Sequence, residues 1–196
     1  MSGPGAELAS PDELAELVAR LAGEISADHP EGLVLVGVLK GGVILVADLL
    51  RSVEVPCVVD FVALSPYAGR HERVKVLKDL DLDVTGLDVV LVEDVVDSGL
   101  SARYLIDLIA ARGARRVRVC ALFDRPSRRI VPVPLAYLGR KAPEGFLVGY
   151  GLDAAERYRN LPGVRVLDPV DFEAQRTRLR PEADPAAPYH VGDSGR

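Results

Sequence analysis

Glu93 and Asp94 stand side by side, and after two valines comes Asp97-Ser98-Gly99-Leu100-Ser101, a short polar run with one glycine. A loop of bare N–H groups and small hydroxyls at the start of a helix binds phosphate. Carboxylates beside such a loop either hold a divalent cation or grip hydroxyls. Acids at strand ends and serines at helix starts also act simply as caps, so the residue types alone leave both readings open. Lys40-Gly41-Gly42 is a second candidate. Two glycines let the backbone turn sharply and approach a ligand, and Lys40 supplies charge; a plain turn with a solvated lysine is the other reading. The basic turn Asp124-Arg125-Pro126-Ser127-Arg128-Arg129 is a third. Neither G-x-x-x-x-G-K-[ST] nor G-x-G-x-x-G occurs in the chain.

The elements that must position these residues follow from the hydrophobic pattern. The β-branched run 89–92 predicts a strand buried on both faces, ending at the two acids. Leu105, Ile106, Leu108 and Ile109 recur at helical spacing after it, and Gly113 ends that helix. Residues 33–39 form a second buried strand, followed by a helix with Ile44, Leu45, Leu49 and Leu50. Residues 55–64 and 115–123 are further strands. Alternating buried strands and amphipathic helices predict an α/β fold: a mostly parallel twisted sheet with helices on both faces. Ligands in such sheets lie beyond the carboxyl ends of the strands, and the three unusual turns all lie there.

Residues 1–9 read as a flexible arm, 10–174 as one domain and 175–196 as a disordered tail of Arg, Pro, Asp and Gly. Ser10-Pro11-Asp12-Glu13 is a capping box that opens a helix to about residue 27. Residues 65–84 predict a surface hairpin or mobile loop, with Asp79, Asp81, Asp83 and Asp88 as a solvated acidic stretch. Strands near 134–138 and 146–149 are divided by Gly139-Arg140-Lys141-Ala142-Pro143, and 154–158 is a short polar helix before a last strand, 164–167.

The run from Val89 to Ser101 resembles the phosphoribosyl-diphosphate (PRPP) motif of type I phosphoribosyltransferases: four apolar residues, two acids, two apolar residues, Asp-Ser/Thr-Gly, then Ser/Thr. Three further stretches match in order. They are Gly37-Val38-Leu39-Lys40-Gly41-Gly42, Val148-Gly149-Tyr150-Gly151-Leu152-Asp153 and Tyr158-Arg159-Asn160-Leu161-Pro162. Together they resemble the bacterial type of hypoxanthine(-guanine) phosphoribosyltransferase over about residues 10–170. The resemblance implies a small hood and a mobile loop beside the sheet. It implies transfer of phosphoribosyl from PRPP to a 6-oxopurine, giving the nucleoside monophosphate and pyrophosphate with Mg²⁺. Glu93 and Asp94 then lie at the ribose hydroxyls with the metal nearby, and Asp153 is a further metal ligand. Asp97 is the general base at purine N7. Residues Asp97, Ser98, Gly99, Leu100 and Ser101 cradle the 5′-phosphate. Lys40, Gly41 and Arg159 meet pyrophosphate, across a Leu39–Lys40 peptide that is often cis in the family. Phe146 and Val95 sandwich the purine, and the Leu147 backbone reads its edge.

Three departures bear on this resemblance. Arg125 stands where the family usually has a lysine that selects the base. The lid reads Ser65-Pro66-Tyr67 and is short. Arg140 stands where an apolar or aromatic residue is usual beside the base. A same-fold transferase for xanthine or another base, and a PRPP- or nucleotide-binding regulator without turnover, are therefore the alternatives.

Hydrophobic content of 48% and charged content of 27% place the chain of 196 residues among globular proteins of one domain. A net charge of -5 argues against nucleic acid as the partner. There is no apolar run of membrane-spanning length and no leader-like start, so the expectation is a cytoplasmic protein with Cys57 and Cys120 as buried, reduced thiols. A homo-oligomer, dimer or tetramer, is expected by resemblance.

Overall fold

The structure is a computed structural model that describes residues 5–65 and 75–167. In chain order its elements are β1 (Ala6–Ala9), α1 (Pro11–Asp28), β2 (Leu33–Leu39), α2 (Val43–Ser52), β3 (Cys57–Leu64), β4 (Val76–Lys78) and β5 (Asp88–Val96). There follow α3 (Leu100–Ala111), β6 (Arg116–Asp124), a single 3-10 turn at Pro126–Arg128, β7 (Leu135–Lys141), β8 (Phe146–Val148) and β9 (Val164–Leu167).

Six strands form the main sheet in the order β4-β3-β2-β5-β6-β7. All pairings are parallel except β3 with β4. The strand period of two divides the core between the faces. Leu35, Val90, Val92, Cys120 and Leu122 pack with Leu14, Leu21 and Ile25 of α1 and Leu45 and Leu49 of α2. Val34, Val36, Val89, Leu91, Val119 and Ala121 pack on the other face with Ala102, Leu105 and Ile109 of α3. Helices therefore cover both faces, as expected. α1 opens on the predicted capping box: the Glu13 N–H donates to Ser10 Oγ, and the Ser10 N–H donates to Glu13 Oε2 at 2.8 Å. Among the described residues no helix is long and apolar enough to cross a membrane.

A second sheet, β1-β9-β8, is antiparallel and forms the hood. It corrects the flexible arm: residues 6–9 are a strand, and Ala9 is fully buried. Those four residues are too short to show a period, and their partner strand lies at the far end of the domain. The expected helix at 154–158 is also absent. Ala155, Glu156 and Tyr158 adopt left-handed φ values of 52°, 63° and 73°. The Asp153 carboxylate takes the Glu156 N–H at 2.7 Å, a local bond that competes with helix formation. Gly139, Arg140 and Lys141 belong to β7 rather than to a divider. A Cβ on Gly139 would lie 2.4 Å from the Leu122 carbonyl oxygen, so this glycine serves strand approach and not a turn.

The acidic stretch divides in two. Asp79 pairs with Arg112 and Asp81 with Lys78, both near the surface. Asp88 is instead buried, bonded to His29 and Arg115. Asp60, also buried, accepts N–H bonds from Phe61, Asp81 and Leu82 and a bond from Lys78, tying the β3–β4 unit together. Of the two free thiols, Cys120 is buried and burial pushes it up to about 12, whereas Cys57 is only half-buried.

Candidate functional site

β5 runs through both acids and ends at Val96, four residues beyond the apolar run 89–92. Its neighbours β2 and β6 hold this stretch in the middle of the sheet. Successive side chains on a strand face opposite ways. Glu93 lines a cleft of about 270 Å³ with Val38, Leu39, Asp97, Ser98 and Ser101. The Asp94 carboxylate lies instead against Gly41, where a Cβ would fall 1.6 Å from Oδ2. Only glycine fits there. Neither acid has a partner cation in an ion pair among the described residues. Burial, then the neighbouring Asp94 charge, pushes the Glu93 carboxyl well above its ordinary range. Burial raises Asp94 too, against the opposing N–H of Val95 and the charge of Arg159.

The loop after β5 turns at Gly99, whose φ of +82° opens α3. A Cβ there would meet the Val131 carbonyl oxygen at 2.6 Å. The Ile130 and Val131 N–H groups donate to the Ser98 carbonyl at 2.8 and 3.1 Å, fixing the loop from outside. Ser98 Oγ accepts from the Leu100 N–H at 3.3 Å. The other first-turn N–H groups of α3 have no intrahelical acceptor and carry the positive end of the helix dipole. Asp97, Ser98, Gly99 and Ser101 thus line the cleft as an anion cradle with Glu93 beside it.

The Leu39–Lys40 peptide is cis. Lys40 Nζ donates to Glu156 Oε2 at 3.2 Å. Arg159 pairs with Asp153 Oδ1 at 2.8 Å and Glu156 Oε2 at 3.1 Å, and donates to the Gly151 carbonyl at 2.8 Å. Gly151, at φ +95°, packs so closely that a Cβ would lie 2.4 Å from the Gly41 oxygen. Lys40, Gly41, Asp153 and Arg159 therefore meet in one charged cluster next to Asp94. Sequence reasoning missed Glu156, which joins both cations; its only signal was an acid three residues from Asp153 and from Arg159.

Arg125 is buried, and each of its three guanidinium nitrogens donates to the protein. Nη1 donates to both oxygens of Asp97, at 3.0 and 3.2 Å, Nε to the Pro143 carbonyl and Nη2 to the Gly145 carbonyl. Phe146 opens β8 half-exposed, Leu147 is buried beside it opposite Val166, and Val95 lines the cleft. Arg140 is a correction. Its Nη1 donates to the Leu8 carbonyl at 3.1 Å and lies 3.9 Å from Glu13, so β7 points it at β1 and α1 and not at the cleft. Ser65 lines the cleft; its N–H donates to the Lys75 carbonyl at 2.8 Å and its Oγ accepts from the Lys75 N–H at 3.0 Å, while Pro66 and Tyr67 lie outside the described residues.

Among the described residues no group of three or more acids, histidines or cysteines encloses a metal. Magnesium is commonly held by one or two carboxylates together with substrate phosphates and water. Glu93 on the cleft, or Asp94 with Asp153 on the Gly41 side, fits that open arrangement one or two at a time.

Residues 6–155 match the family model of the phosphoribosyl transferase domain. The chain is 38% identical over 171 residues to a hypoxanthine-guanine phosphoribosyltransferase of Bacillus subtilis, covering 85% of this chain and 95% of the relative. It is 44% identical over 164 residues to the enzyme of that name from Mycobacterium tuberculosis, covering 82% and 81% of the two chains. Among solved structures, a hypoxanthine-guanine phosphoribosyltransferase of Bacillus anthracis with HEPES in its active site superposes with a TM-score of 0.81 at 38% identity, over 85% of this chain and 100% of the other. A mutant hypoxanthine phosphoribosyltransferase of Trypanosoma cruzi complexed with the product IMP gives a TM-score of 0.83 at 29% identity, over 90% and 97%.

Proposed function

We infer the reaction from one premise: the chain belongs to the hypoxanthine-guanine phosphoribosyltransferases, within the phosphoribosyl transferase family. It transfers 5-phosphoribosyl from PRPP to hypoxanthine or guanine, giving the nucleoside 5′-monophosphate and pyrophosphate in purine salvage. One observation supports this most. Two carboxylates without a partner cation among the described residues, buried Glu93 and half-buried Asp94, flank a glycine-turned helix start at the carboxyl end of a parallel sheet. Such a site is completed by a ligand that brings hydroxyls, phosphate and a cation together.

Glu93 and Asp94 accept the ribose hydroxyls. The N–H groups and hydroxyls of Asp97 to Ser101 hold the 5′-phosphate. Lys40, Gly41 and Arg159 take the pyrophosphate, and Glu156 gives way to it. Phe146 and Val95 hold the purine flat, with the Leu147 backbone at its edge. Asp97 accepts the N7 proton as N9 bonds to C1 of the ribose and pyrophosphate departs with its electron pair. Magnesium bound with PRPP supplies positive charge to the leaving group; Glu93, Asp94 and Asp153 are the carboxylates that would hold it. Ser65 and Tyr67 belong to the lid that excludes water.

The test is pyrophosphate release with PRPP and Mg²⁺ across hypoxanthine, guanine, xanthine and adenine, with Asp97→Asn as control. Release with hypoxanthine or guanine, greatly reduced in the control, supports the reading. Release with xanthine alone transfers it to another base. PRPP binding without release with any base leaves a regulator. A homo-oligomer is part of the proposal, and sedimentation as a monomer removes it.

A further inference from the structure

We propose that Arg125 is a positioning residue, a brace that holds the proton-accepting carboxylate and the purine-stacking loop as one unit. The proposal rests on the transferase reading above and deepens it. The side chain of Arg125 is 5% exposed and that of Asp97 43%, so the brace is inside and its working end faces the cleft. One guanidinium plane spans two separate segments. Nε and Nη2 hold the carbonyls of Pro143 and Gly145 at 3.2 and 2.9 Å, just ahead of Phe146. Nη1 holds Asp97 on the other side. The Gly145 carbonyl is itself fixed, because φ there is +108° and a Cβ would strike the Val166 side chain at 2.7 Å.

Asp97 is held a second time through its main chain. Arg129 Nε donates to the Asp97 carbonyl at 2.9 Å and Nη2 to the Val96 carbonyl at 3.0 Å, while the same guanidinium pairs with Asp124. Arg129 fixes where the residue sits; Arg125 fixes where its carboxylate points. Arg125 Nη1 bonds both carboxylate oxygens, Arg128 Nη1 stands in a looser pair 3.9 Å from Oδ2, and a carboxylate has about four acceptor directions, so room remains for an incoming N–H. A direct role for Arg125 as a donor to the 6-oxo group fits less well, because Nε, Nη1 and Nη2 each already serve a protein acceptor. In this chain a lysine would hold only one side, since its donors radiate from one atom and do not span from Gly145 to Asp97.

A brace acts on the chemical step more than on PRPP binding. Arg125→Lys should lower kcat on the order of 10- to 100-fold, the cost of a catalytic group misplaced by about 1 Å, and leave the KM for PRPP unchanged. In an Asp97→Asn background the same substitution should cost little more, because the group it positions no longer accepts a proton. Wild-type kcat in Arg125→Lys, or an equal loss in both backgrounds, overturns the brace. A variant-free measurement covers the case in which Arg125→Lys does not fold. In a crystal of the wild type with bound purine nucleotide, Nη1 should remain on Asp97; Nη1 swung onto the 6-oxo oxygen overturns the proposal. A wild type inactive with every base removes the transferase reading and the brace together, and is told apart because no variant is then needed.

Discussion

Asp88 and Glu93 lie on the same strand, both buried, and their surroundings are opposite. Asp88, at the start of β5, accepts from Arg115 Nε at 2.8 Å and pairs with His29 Nδ1 at 2.8 Å. The Arg115 bond, with burial opposing it and His29 adding to it, holds the Asp88 carboxyl below the usual range. Around this pair, Tyr137 donates to Asp28 at 2.9 Å and accepts from Arg118 at 3.1 Å, and His29 Nε2 lies 3.1 Å from the same hydroxyl. Glu93, near the other end, has no ion-pair partner among the described residues, and burial, then the Asp94 charge, drives its carboxyl up. A buried charge is costly unless paired. The pole that supports the fold supplies those pairs from within the chain. The pole beyond the carboxyl ends of the strands gives Glu93 and Asp94 no such pair among the described residues, which makes it the place for a ligand to complete.

Substitutions at the two poles should therefore separate activity from stability. The largest effect is expected from Asp97→Asn, a loss of about 10²- to 10⁴-fold in pyrophosphate release; the amide oxygen still accepts from Arg125 Nη1 and the position is 43% exposed, so the melting temperature should fall less than in Asp88→Asn. Asp88→Asn should do the reverse. Breaking a buried pair costs about 3 kcal/mol, which lowers the melting temperature by roughly 6–12 °C in a domain of this size. Turnover per folded molecule should stay as it was.

Asp88 also sets the sign of an acid limb. Its bonds favour the ionised form in the folded state. Their contribution is whole above the unfolded aspartate value, about 3.9, and is lost as pH falls through the lowered value. Urea titrations in the wild type should show this loss below about pH 4, and Asp88→Asn should flatten it. Tyr137→Phe, which removes one shared hydroxyl, should cost about 1 kcal/mol by denaturant titration and nothing in activity. The smallest stability change belongs to Glu93→Gln. Removing a charge that the fold does not pair should leave the unfolding midpoint unchanged or raised, while PRPP-dependent turnover falls. A marked destabilisation there would erase the contrast between the poles.

Much of this contrast was legible beforehand, but unequally. The strand at 33–39, the start of β5 at 89–92, the capping box at Ser10 and the three unusual turns could be read because each depends on neighbours in the chain. The acidic pole came with them, since Glu93, Asp94 and the 97–101 loop are contiguous. The paired pole was invisible. Asp88 stands in sequence near Asp79, Asp81 and Asp83 and is distinguished only by His29 and Arg115, which tertiary packing brings to it. Arg125 was found by type, but its acceptors on the Asp97 and Gly145 segments follow from the β6–β7 crossover. Arg140 was misplaced because strand register, not sequence distance, decides which way β7 aims it.

The hood has a consequence for biogenesis. β8, which carries Phe146 and Leu147, is completed by β9, and β9 by β1, with Ala6 opposite Val166. Every strand of the main sheet has been synthesised once Lys141 leaves the ribosome. The hood must wait for the stretch 164–167 and for the first residues made to find it, a closure over nearly the whole domain. A nascent chain therefore holds its phosphate cradle before it holds its purine wall, and a ligand made of phosphate and sugar has a folded surface to meet before a base does.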